Sequence, residues 1–268
     1  MKKKLLWLLP IAAMLLTACG ASGGETDESG TAASDSGEAK ETTIYLVRHG
    51  KTWFNTQNQV QGYSDSLLTE EGEKQAKLVG EGMEDIEFTA AYSSDLGRQR
   101  NTAKLILEQN KNDVPQITEN IGFREKNFGS FEGLSNDDMN IAVAKALNLD
   151  YPEGSDELWD FLKEQLTEEE LANKVAEVDP TQTAETYDEM HQRVSKVMPE
   201  VMKEVDAQGG GNVLIVSSGG IIPIILESIA PGEYQGEKIA NCSVTTLTYK
   251  EGKYTIESIG DTSYVDQN

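Results

Sequence analysis

Two short apolar runs dominate the pattern of this chain. "TTIYLVRH", from Thr42, and "NVLIVSS", from Asn212, are aliphatic or β-branched at most positions, the mark of strands buried on both faces. Between them the period lengthens. In "LTEEGEKQAKLVGEGM" the apolar positions Ala76, Val79 and Met83 recur at helical spacing, with Thr69 placed as N-cap and Glu70 and Glu71 in the first turn. "AAYSS" predicts a brief strand, and "DLGRQRNTAKLILEQ" a helix with Leu96, Ala103 and Ile106 on one face. "GIIPIILESIA" predicts a further helix, and "CSVTTLTYKEGKYTIESI" reads as two strands about a turn at Glu251-Gly252. Residues 135–184 are acidic and helical in pattern, an insertion rather than a separate domain. Strands alternating with helices predict an α/β class: a three-layer sandwich whose largely parallel central sheet is flanked by helices, with that helical insertion added.

The N-terminus follows a different rule. Lys2, Lys3 and Lys4 precede an apolar run from Leu5 to Leu16 that is short for a membrane span, and Leu16-Thr17-Ala18-Cys19 follows. The arrangement resembles a bacterial lipoprotein signal, with residues 1–18 removed and Cys19 lipidated. An ordinary secretory signal cut at a small residue is the alternative. Residues 19–41 carry no aromatic or large aliphatic side chain, so they predict an acidic, Gly/Ser-rich disordered tether. Residues 42–268 form the globular domain. The expected location is extracytoplasmic, anchored to the bacterial cell membrane by the lipid on Cys19.

Charge and cysteines narrow the possibilities. The formal net charge is -23, which excludes a general nucleic-acid binder, since that needs a basic face. Two cysteines, Cys19 and Cys242, exclude a disulfide framework, and Cys242 is expected to be a small buried hydrophobe. No cluster of ligating side chains implies a metal.

Chemistry is expected beyond the carboxyl end of the first strand, at Arg48-His49-Gly50, because open α/β sheets bind ligands there. Only five arginines occur, at 48, 98, 100, 124 and 193, and four of them lie in or beside the segments at issue. In so acidic a chain this clustering points to an anion site suited to phosphate, with a chance grouping of surface arginines as the alternative. Arg98 also falls in the first turn of a helix, a poor place for a cation unless an anion is bound.

"RHGKTWFN" closely resembles the signature of the histidine phosphatase superfamily, in its phosphoglycerate mutase-like branch. "QGYSDSLLTEEGEKQA", "SSDLGRQRNTA" and "FREKNFGSFEG" resemble three further segments of that family in order, and weaker similarity continues through "AETYDEMHQRV" and "NCSVTTL". The resemblance implies that His49 is a nucleophile accepting a phosphoryl group, with Arg48 and Arg98 as phosphate clamps. It implies that Thr52, Asn55, Gln61 and Gly62 line the substrate pocket, and that Glu125 is the general acid and base. A surface carboxylate paired with Arg124 or Lys126 is the alternative for Glu125. The family carries a second histidine where this chain has Ser218, in "VSSGG". A serine-hydrolase elbow is excluded there because Val216 stands where a glycine is needed. Ser218 is expected to cap the following helix and to keep a neutral hydrogen bond to phosphate as a substrate-binding residue, with amides at Gly219 and Gly220 still able to face an anion. His191, beside Tyr187 and Val194 on a helix face, is expected to be structural.

The expected function is phosphomonoester hydrolysis through a phosphohistidine at His49, weakened by Ser218, on a phosphorylated small molecule and without a cofactor. An inactive phosphoanion-binding lipoprotein is the alternative. A phosphoglycerate mutase ranks third, because the lipoprotein signal separates the chain from glycolytic substrates.

Overall fold

A computed structural model describes residues 41–151 and 158–266. The signal segment 1–18, Cys19 and the tether up to residue 40 lie outside the described residues.

The two apolar runs form the centre of the sheet. β1 (Thr42–Arg48) and β4 (Gly211–Ser217) pair in parallel along their whole length, with Thr42 opposite Gly211 and Arg48 opposite Ser217. β2 (Phe88–Ser93) lies parallel to β4 on its other side, and β3 (Ile117–Glu119) adds a parallel edge. β5 (Val244–Lys250) runs antiparallel to β1, and β6 (Lys253–Asp261) closes the order β3-β2-β4-β1-β5-β6. The turn between β5 and β6 has Glu251 at φ 52° and Gly252 at φ 82°, the left-handed pair that a tight hairpin needs.

Because successive strand residues face opposite ways, the central strands feed two cores. Ile44, Leu46, Val213 and Ile215 pack with α7 (Tyr187–Ala207) and α8 (Ile222–Ile229). Val47, Leu214 and Val216 pack with α2 (Glu70–Gly82) and α3 (Gly97–Leu107) on the opposite face. The result is helix, sheet and helix, as the pattern predicts. Thr69 does cap α2, its side chain accepting from Gly72 N at 3.0 Å. Residues 135–184 are mostly helical where described: α4 (Asn136–Ala146), α5 (Leu158–Gln165) and α6 (Glu168–Val178) enclose a third core with Val60 and Phe131. The sequence pattern did not anticipate β3, whose three residues lie at the sheet edge with none fully buried.

Candidate active site

His49 sits where β1 ends. Its backbone N–H donates to Ser217 O at 3.0 Å, so the exit of β4 fixes the main chain at this point. The ring is 3% exposed, and Nδ1 lies 2.8 Å from Gly50 O. A carbonyl can only accept, so Nδ1 carries the hydrogen and Nε2 keeps a free lone pair. Burial, then the charges of Arg98 and Arg48, hold the imidazole well below its ordinary pKa, against a smaller opposing pull from the Gly50 carbonyl. The ring is therefore a neutral base with one nitrogen directed and the other available. Gly50 has no alternative here, since a Cβ would lie 2.5 Å from Gly72 O.

The two arginines beside it are held by main-chain carbonyls. Arg48 Nη1 donates to Ile239 O at 2.7 Å, and the backbone of Gly219 lies against its guanidinium so closely that a Cβ would stand 3.0 Å from Cζ. Burial lowers the Arg48 pKa, opposed chiefly by the Glu125 carboxylate. Arg98 is 1% exposed; Nη2 donates to Gly62 O at 2.8 Å, and Nη1 to Ser64 O at 3.1 Å and Asp65 Oδ1 at 3.0 Å. Asp65 also accepts from Gly97 N at 2.6 Å and supplies the cap that Leu96 cannot give α3. The anion expected near the first turn of this helix is thus an aspartate of the chain itself. After these bonds, Arg48 Nε, Arg98 Nε and Gln61 Nε2 remain buried donors without a partner among the described residues. Such groups are unfavourable unless a ligand meets them.

The other three arginines are engaged elsewhere. Arg124 pairs bidentately with Asp95 and lies over the Tyr63 ring at 4.8 Å, Arg100 pairs with Glu119 at 3.0 Å, and Arg193 with Glu185 at 2.9 Å. The arginine clustering seen in the sequence therefore overstates the anion site.

Thr52, Asn55 and Gln61 form one network. Thr52 is the N-cap of α1 (Trp53–Thr56) in a capping box with Asn55, and its hydroxyl donates to Gln61 Oε1 at 2.6 Å. Asn241 ties the network to His49, its Nδ2 donating to His49 O at 3.0 Å and Asn55 Oδ1 at 3.3 Å. The loop bearing Gln61 and Gly62 is clasped from both sides. Its carbonyls face Arg98, while its amides at Gly62, Tyr63 and Ser64 donate to Glu132 at 3.1, 2.8 and 2.8 Å.

Glu125 is 7% exposed and approaches from the far side. Oε1 accepts from Lys126 N at 2.9 Å, and Oε2 from Gly220 N at 2.8 Å. A Cβ at Gly220 would lie 2.6 Å from Oε1. The ion pairs considered for Glu125 do not form, since Arg124 pairs with Asp95 and Lys126 with Glu168.

A neutral histidine, two buried guanidiniums and a carboxylate thus gather at the carboxyl ends of the central parallel strands. Residues 44–262 match the model of the histidine phosphatase superfamily (branch 1). The chain belongs to the histidine phosphatase superfamily. The probable phosphoglycerate mutase GpmB of Escherichia coli O1:K1 / APEC is 29% identical over 231 residues, covering 83% of this chain and 94% of that protein. Among solved structures, phosphoglycerate mutase from Bacillus anthracis str. Sterne is 37% identical with a TM-score of 0.76, covering 85% of this chain and 96% of that one. YhfR of Bacillus stearothermophilus is 26% identical with a TM-score of 0.64, covering 83% and 98%.

In this histidine phosphatase superfamily member, Ser218 departs from its expected role. α8 begins at Ile222 after an Ile221 cap that makes no side-chain bond; the Ser218 carbonyl accepts from Ile222 N at 3.0 Å, but its hydroxyl caps no amide. Its hydroxyl instead accepts from Gln99 Nε2. The amide of Gly220 faces the Glu125 carboxylate, an anion of the chain itself, and so is not free for a bound one. Gln99, Asn241, Glu132 and Asp65 were missed in the sequence. All four lie in segments that carry the resemblance, Asp65 in "QGYSDSLLTEEGEKQA", Gln99 in "SSDLGRQRNTA", Glu132 in "FREKNFGSFEG" and Asn241 in "NCSVTTL", but none was given a role. His191 stacks on Tyr187 with centroids 6.2 Å apart, as its helix position implies. Two hollows of about 570 and 380 Å³ are lined by residues of the helical segment and its neighbours rather than by His49.

Proposed function

We propose that the protein is a phosphomonoester hydrolase working through a phosphohistidine at His49. The observation that carries this is a buried, neutral His49 with a free Nε2, flanked by two arginines whose Nε donors have no protein partner. Nε2 attacks phosphorus, the ester P–O bond breaks, and a protonated Glu125 gives its proton to the leaving oxygen. Water then attacks phosphorus, Glu125 takes the proton, and the P–N bond breaks to release phosphate. Arg48 and Arg98 neutralise the equatorial oxygens throughout, with Thr52, Asn55, Gln61 and Gly62 lining the pocket. Ser218 and Gly219 contact the group as neutral donors, so the rate is lower than a second imidazolium would give. We place the enzyme outside the cytoplasm on a lipid anchor at Cys19, on the strength of the N-terminal sequence.

Phosphate release from an aryl phosphate, compared between wild type and His49→Ala, tests the reading. Activity in the variant equal to wild type overturns it, and acid-trapped phosphoprotein that depends on His49 supports it. The close engagement of Ser218 by Gln99 favours a second reading, a phosphoanion-binding protein without turnover. Under that reading phosphate raises Tm but no product forms. Interconversion of phosphoglycerates would instead make the chain a mutase, as the names of its relatives suggest.

A further inference from the structure

Gln99 follows the clamp Arg98 in the first turn of α3, yet its side chain is wholly buried. Its Nε2 donates to Phe123 O at 3.2 Å and to Ser218 Oγ. The Phe123 carbonyl can only accept, which fixes the amide nitrogen on that side. Both hydrogens of the nitrogen are then engaged, while Oε1 is buried without a partner. The amide is therefore not placed for its own hydrogen-bond balance; a methionine would fill a similar volume without leaving an acceptor unmet.

The consequence falls on Ser218. Its oxygen receives an N–H, so its own proton is left to donate, and no side chain or carbonyl among the described residues accepts it. Ser217, one residue earlier, shows the contrast: its hydroxyl donates to Phe123 O at 3.0 Å and is satisfied. Ser218 lies between Ser217, whose carbonyl takes the His49 amide at 3.0 Å, and Gly219, which packs on the Arg48 guanidinium. A fully buried hydroxyl beside the nucleophile and a clamp thus holds a proton with nowhere to go in the free protein.

We propose that Gln99 is a positioning residue that turns the Ser218 hydroxyl into a dedicated donor for an oxygen of the phosphoryl group. The chain runs from the Gln99 amide to Ser218 Oγ and from the Ser218 proton to phosphate, each donor polarising the next. Gln99 never touches the substrate. The proposal rests on the reading of His49 as a phosphoryl site.

The test uses the full chain with Ser218→Ala, Gln99→Met and the double variant. Two quantities are read: affinity for inorganic phosphate by calorimetry, and kcat/KM on an aryl phosphate. Ser218→Ala is expected to weaken both by about tenfold to hundredfold, less than the full loss of an oxyanion donor. Gln99→Met moves them in the same direction, and the double variant is no worse than Ser218→Ala alone, because Gln99 acts through that hydroxyl. Additive losses, or phosphate affinity unchanged in Ser218→Ala, overturn the proposal. Should Gln99→Met not fold, Gln99→Leu takes its place in the cycle, since Ser218→Ala alone reports on the hydroxyl and not on Gln99. Phosphate binding without turnover in wild type, still weakened by Ser218→Ala, refutes hydrolysis and leaves this inference standing. Wild type that neither binds phosphate nor turns over refutes both.

Discussion

Replacing Glu132 by glutamine tests how the Arg98 clamp is held. The carboxylate accepts on both oxygens: Oε1 from Tyr63 N at 2.8 Å and Phe128 N at 2.9 Å, Oε2 from Gly62 N at 3.1 Å and Ser64 N at 2.8 Å. A glutamine amide offers one oxygen and one NH2, so in either orientation two main-chain N–H groups face a donor. Each unmet group costs about 1–3 kcal/mol when buried. These bonds are partly exposed, so the pair is expected to cost about 2–4 kcal/mol, from the lower part of that range. For a domain of this size each kcal/mol moves Tm by about 2–4 °C, which gives a fall of about 4–16 °C. The functional effect follows from the carbonyls of the same loop, because Gln61, Gly62 and Ser64 hold the guanidinium of Arg98. A clamp misplaced by an ångström costs about a hundredfold in rate, so kcat/KM is expected to fall by at least about tenfold. Thermal unfolding with and without phosphate, together with steady-state kinetics, measures both effects. Glu108→Gln, on an exposed i,i+4 pair with Lys104, is the control and is expected to stay within about 0.5 kcal/mol. A Tm unchanged within about 2 °C, with phosphate affinity intact, would falsify the account of Glu132 as the back of the clamp.

Three further outcomes are expected. Gly220→Ala places a Cβ 2.6 Å from Glu125 Oε1, so kcat should fall by about a hundredfold with little change in phosphate affinity; equal kcat would remove Glu125 from the chemistry. His49 is held neutral by burial and by Arg98 and Arg48, so below its ordinary pKa of about 6.5 the unfolded chain binds a proton that the native site refuses. Stability therefore falls as pH drops from there toward the lowered native value, by up to about 1.4 kcal/mol per pH unit, and His49→Gln should flatten that slope in pH-dependent unfolding. Burial pushes the Cys242 thiol up to about 12, against a smaller pull from Arg48, so in a Cys19→Ser variant a chromogenic disulfide reagent should react only after unfolding. Rapid reaction of the folded variant would show that Cys242 is accessible.

The strands were legible because their chemistry is local. "IYLVR" and "VLIVS" cannot be exposed, and the hairpin turn at Glu251-Gly252 carries its own left-handed signal. His49 and Arg48 were legible for the same reason, since they end a buried strand. What failed were readings that require knowing which distant group arrives. Asp65 caps α3 from another loop, and Glu132 reaches across 70 residues to Gly62; both stand in segments that carry the family resemblance, but neither distant partner can be read from its own segment. Ser218 was read as a cap because it precedes a helix, but α8 starts four residues later and an amide from α3 already lies on the hydroxyl. Neighbours in sequence predicted the elements, and non-local hydrogen bonds decided the roles.

The pairing of β1 with β4 and β5 also sets when the site can exist. Arg48 is anchored to Ile239 across 191 residues, and the His49 carbonyl to Asn241 across 192. His49 is made early in synthesis, but the backbone that orients it is among the last to be joined. A nascent or prematurely ended chain carries the full RHG signature with no formed cradle around it. Assembly through such distant partners is slow, because loop-closure entropy is met before the contacts form. The order of the strands therefore withholds the geometry of the pocket until the last of the sheet has joined.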